Sequence, residues 1–84
     1  MSFEKDIEVI RNSFIEGAIS LDDLLLYVEP VLNQCVMDPI KQLAAKKIIN
    51  EIETAIFSKN EPQRTDLIGE LLNAARDLAR DSSQ

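Results

Sequence analysis

Apolar residues recur at helical spacing along almost the whole chain, in four blocks separated by short polar stops. Phe3, Ile7, Ile10 and Phe14 follow one another at steps of four, three and four. That spacing lines one narrow stripe of a helix over about 3–16. Ser2 is placed to cap its start, with Glu4 and Asp6 favourably set against the helix dipole. Gly17 follows the last turn, where a left-handed residue commonly ends a helix.

Ser20-Leu21-Asp22-Asp23 opens a second helix, with Asp23 in the reciprocal position of a capping box. Leu21, Leu24, Leu25, Val28, Val31 and Leu32 fall on one face, roughly 120° wide at the helical repeat. Pro30 lies inside this pattern. It either kinks the helix near Leu26, whose carbonyl it leaves without a donor, or begins a new short helix.

Asp38-Pro39 marks a third start, an N-cap residue followed by proline at the first helical position. Ala44, Ala45, Ile48, Ile49, Ile52, Ala55 and Ile56 share a broad face, which suits the most buried helix. Lys46, Lys47, Asn50 and Glu53 cover its back. The stretch from Ser58 to Pro62 breaks the pattern, with Pro62 early in a fourth helix. There Leu67, Ile68, Leu71, Leu72, Ala75, Leu78 and Ala79 form one face, continuing to about Arg80, and the last four residues should fray.

Connections this short force consecutive helices to be antiparallel neighbours. Ala44, Ala45, Ala55, Ala75 and Ala79 permit close approach. The expected fold is all-α, a compact antiparallel four-helix bundle in a single domain over 1–84.

Charge adds what periodicity cannot. The first 38 residues hold eight acids and two bases, and the remaining 46 hold seven of each. The net charge of −6 therefore sits in the N-terminal part of the chain. Such a field repels nucleic acid and anionic membrane and attracts a basic protein surface. A single cysteine, Cys35, forms no internal disulfide and lies on the apolar stripe, as a buried inert thiol would. The opening residues lack a signal peptide's basic and apolar regions, and no stretch reaches the roughly 20 apolar residues of a membrane span. Cytoplasmic residence is the expectation, with no membrane association.

The chain contains no histidine, which removes the commonest general base and transition-metal ligand. Acids map to polar faces or helix ends, apart from Glu51 at the border of an apolar stripe. Solvated surface accounts for them better than paired-acid catalysis, which needs a desolvated carboxyl. Lys41, Lys46 and Lys47 read as a solvated face rather than a nucleic-acid site. No calcium loop, P-loop or dinucleotide fingerprint occurs. The expectation is a non-enzymatic protein with no cofactor and no metal.

Gly17-Ala18-Ile19-Ser20-Leu21 resembles the Gly-x-Asp-Ser-Leu attachment site of acyl carrier proteins. Ile19 stands where that family has Asp, and Ser20 comes too early in the chain. A capping serine explains the same residues without modification chemistry.

One surface departs from the two-sided pattern. Leu26 and Tyr27 both lie off the core stripe of the second helix, amid Asp22, Asp23 and Glu29. On the first helix Ile15 is off its stripe, in the same sector as Glu4 and Glu8. An apolar and aromatic anchor ringed by charge has the make-up of a binding hot spot. The alternative packs Leu26 and Tyr27 under the fourth helix or a terminus, with the second helix central.

The segment Phe14-Ile15-Glu16-Gly17-Ala18-Ile19-Ser20-Leu21-Asp22-Asp23-Leu24 resembles the helix-turn-helix opening of colicin-D-type immunity proteins, among the small helical immunity proteins of bacteriocin and contact-dependent-inhibition systems. The likeness spans about a quarter of the chain. It implies an antidote whose carboxylates occupy a toxin nuclease's substrate groove, giving fast, salt-sensitive association. The binding set carried forward is Asp22, Asp23, Leu26, Tyr27, Glu29, Ile15 and Glu8. The other readings are an adaptor that homodimerises and a carrier modified at Ser20. Sequence leaves monomer and homodimer both open.

Overall fold

A computed structural model of the chain describes residues 3–35, 37–58 and 60–82. Four helices run α1 (Phe3–Ile15), α2 (Leu21–Cys35), α3 (Pro39–Ser58) and α4 (Gln63–Ser82). Ser2, expected to cap α1, lies outside the described residues, as does the side chain of Cys35.

Local chemistry sets the end of α1 and the starts of the three helices that follow. Gly17 takes a φ of 84°, and the Gly17 and Ala18 N–H groups donate to the carbonyls of Phe14 (3.1 Å) and Ser13 (2.8 Å). Together these are both bonds of a Schellman motif, which satisfies carbonyls that the last turn of α1 would otherwise leave open. Ser20 caps α2: its Oγ accepts from the Asp23 N–H at 3.3 Å and its carbonyl accepts from Leu24 at 3.0 Å. Asp38 caps α3, its Oδ1 accepting from the Ile40 N–H at 2.8 Å. Ahead of α4, Glu61 accepts from the Thr65 hydroxyl and from Arg64 Nε, the latter at 2.9 Å. The hydrogen bond from Thr65, then that from Arg64, holds the Glu61 carboxyl below its ordinary pKa.

Contacts between helix ends fix the topology. Arg80, late in α4, reaches Glu4 at the start of α1 with Nη1–Oε1 at 3.9 Å, so these two helices are antiparallel. Leu32 and Asn33 at the end of α2 share a groove with Gln42, Ala45 and Lys46 at the start of α3. Thr54 and Ala55, late in α3, share another with Leu67 and Leu71, early in α4. The helices therefore follow one another around a four-helix bundle, with α1 and α3 diagonal and out of contact while α2 also touches α4. The Cα radius of gyration, 11.9 Å, matches the value of about 12 Å expected for a close-packed domain of this length.

Among the described residues the core is entirely apolar: Ile7, Ile10 and Phe14 from α1, Leu24, Val28 and Leu32 from α2, Ala45, Ile49, Ile52 and Ala55 from α3, and five residues of α4. Of the two courses open at Pro30, a new helix is not the one taken: α2 runs through it from Leu21 to Cys35. Two expectations need correction. The helix that gives the core most residues is α4 rather than α3, five against four, and α4 touches the other three helices while α3 touches two. Ala44 is exposed; Ala45 alone of the pair enters the core. The chain also stays helical through Ser82, two residues past the expected end. Among the described residues no helix is long and apolar enough to cross a membrane.

Candidate protein-docking surface

Helical geometry gives α2 a sharply two-sided character. Leu24, Val28 and Leu32 are fully buried, whereas Leu26 is 69% exposed and Tyr27 53% exposed. Packing of these two residues beneath α4 or a terminus is therefore not what the bundle does. At the helical repeat, Asp22, Leu26 and Glu29 stand in one line on the outward side, at steps of four and three. Asp23 and Tyr27 form the adjoining line, one turn apart. Asp22, Asp23 and Glu29 are all exposed, and none of them takes part in an ion pair among the described residues. The capping of α2 by Ser20 leaves both aspartates in its first turn, favourably placed against the dipole and open to solvent.

Pro30 contributes on the same side. It cannot donate to the Leu26 carbonyl, so α2 lacks that bond of its ladder, at a turn where Leu26 and Pro30 are both exposed. An outward position is where this defect is tolerable, because water or a partner can satisfy the oxygen.

The residues expected from α1 are exposed as well, but on a different edge. Glu4, Glu8 and Ile15 share one side of α1, and the bond from Arg80 to Glu4 identifies that side as the one beside α4. Ile15 is 51% exposed and Glu8 is exposed without an ion pair among the described residues. Arg11 lies one turn beyond Glu8 on this edge, partly buried, its Nη1 donating to Asn12 Oδ1 at 3.4 Å. The edge is thus an acidic row interrupted by Arg11 and Arg80. The acids of α2 have no such neighbours among the ion pairs described.

Sequence reasoning passed over Val9, which is 55% exposed. By helical geometry it lies off the core stripe of α1, away from the Glu4–Glu8 edge. A valine off the stripe of a short helix was the available signal. The outward apolar residues of α3, namely Ile40, Leu43 and Phe57, were also missed; they belong to a separate face.

No known family model, curated protein or solved structure matches the chain.

Proposed function

We propose that the protein is a non-enzymatic protein-binding inhibitor of the immunity-protein kind. In this reading the outward face of α2 masks the basic substrate groove of a partner such as a toxin nuclease. Leu26 and Tyr27 are the anchors; Asp22, Asp23 and Glu29 are the steering charges. Ile15 and Glu8 make an outer rim on α1 rather than the centre of the contact. The observation that carries the reading is an exposed leucine and tyrosine set among three carboxylates that no lysine or arginine of the described chain pairs with. Clustering like charges costs self-repulsion, and nothing in the packing of an apolar core calls for it.

The energetics divide between the two classes of residue. Desolvated aromatic and aliphatic anchors supply most of the affinity of a typical interface, while surrounding charges set association rate and partner choice. Replacing Asp22 and Asp23 by lysine should therefore slow association and weaken its salt dependence, with the fold retained because Ser20 still caps α2. The measurement is retention of proteins from a native lysate by immobilised wild type and by Asp22→Lys/Asp23→Lys, at low and at high salt. The reading expects a basic polypeptide held by the wild type at low salt, weakened at high salt and lost from the double variant. Equal retention by both proteins removes this face from consideration.

The carrier reading draws on the segment from Gly17 to Leu21, with Ser20 as the point of attachment. The Ser20 hydroxyl already has a structural use as the cap of α2, so the serine is accounted for without a prosthetic group.

A further inference from the structure

The outer face of α3 carries a second apolar pattern, independent of the core. Ile40, Leu43, Lys47, Asn50, Thr54 and Phe57 follow one another at steps of three, four, three, four and three. All six are exposed, with Ile40 at 78%, Leu43 at 68% and Phe57 at 81%. This is the heptad spacing of a helix–helix contact line, turned away from the bundle. Its apolar members lie at the two ends and its polar members in the middle.

That arrangement is self-complementary in one orientation. When two copies of α3 lie antiparallel, with the two-fold axis midway along the line, Ile40 meets Phe57 of the second copy and Leu43 meets Thr54. Lys47 then faces Asn50, a donor opposite an amide oxygen. Each of these pairs occurs twice by symmetry, as an isologous interface requires. A parallel arrangement instead sets Lys47 against Lys47 in the contact line. Flanking charge favours the same choice. Lys46 and Glu53 lie on one flank of the line, are exposed, and enter no ion pair among the described residues. Equivalent flanks face each other in an antiparallel pair, so Lys46 of each copy comes beside Glu53 of the other.

We propose that this face is a homodimer interface, formed by antiparallel contact of α3 with α3 of a second copy. A helix of this length offers a contact line roughly 30 Å long. One such line buries an area at the low end for specific complexes, so the dimer is concentration-dependent rather than obligate. The occupant differs from that proposed for α2, and the residues involved do not overlap, so the two proposals stand or fall separately.

Sedimentation equilibrium from micromolar to millimolar protein tests it. The wild-type mass should climb from 9.5 kDa towards twice that value, whereas Leu43→Asp, an exposed substitution that leaves the core intact, should stay monomeric throughout. Lys46→Glu places like charges together at both symmetric positions and should weaken the dimer by about tenfold. Adding Glu53→Lys to that variant should restore it, because the reversed pair attracts again. A wild type that remains monomeric to millimolar concentration overturns the proposal. So does a dimer indifferent to Leu43→Asp, or a Lys46→Glu defect that Glu53→Lys fails to rescue.

Discussion

Gly17 shows how much one residue does in this chain. Its φ of 84° is a backbone state that other residues reach at a cost, and it lets α1 end and the chain turn towards α2 within five residues. A Cβ added there meets no atom within 4 Å, so the penalty of Gly17→Ala is conformational and not steric. Stability should fall by roughly 1–2 kcal/mol, read as a shift in the urea midpoint, and Gly17→Asn should lose less. Equal stability of the alanine variant would mean that the turn relaxes to another geometry. Single residues of this kind were legible in sequence: Gly17 as a stop, Ser20 and Asp38 as caps. Their chemistry is local, and each acts on atoms within a few positions of itself. The side of α1 on which α4 lies was not legible, since it depends on Arg80 meeting Glu4 from the far end of the chain.

At the level of the helix, α2 and α3 teach opposite lessons about periodicity. In α2 the core residues and the outward residues separate cleanly, so Leu26 and Tyr27 stood out against Leu24, Val28 and Leu32. In α3 apolar residues occupy both faces, and a reading that follows one stripe counts Ala44 into the core while overlooking Leu43 beside it. Ala44 is small and lies near the edge of the core arc, where a one-residue step decides burial. Pro30 is the other element-scale matter. A proline within a helix costs up to about 3 kcal/mol relative to alanine, and here the lost hydrogen bond falls on the outward side. Pro30→Ala should raise the urea midpoint, by an amount equivalent to roughly 1–3 kcal/mol, while leaving the core unaltered. If a partner donates to the Leu26 carbonyl, the same variant binds that partner more weakly. A stability unchanged by the substitution would contradict the assignment of Pro30 as a helix-interior defect.

Across the whole molecule, two faces of different character lie on neighbouring helices. The acidic face of α2 offers isolated anchors within negative charge, and suits a cationic partner. The face of α3 offers apolar ends and balanced flanking charge, and suits a second copy of itself. The bundle as such was foreseeable, because four amphipathic stripes joined by short connections have few ways to bury their apolar sides. The central place of α4 was not, because sequence periodicity says which side of a helix is buried but not how many neighbours share it. The separation of the α1 acids from those of α2 has the same origin. Hydrogen exchange of the chain alone and in complex with a captured basic polypeptide measures the central claim directly. Protection centred on residues 21–30, with 40–57 unchanged, is the predicted footprint; protection that spares α2, or is confined to α3 or α4, contradicts it.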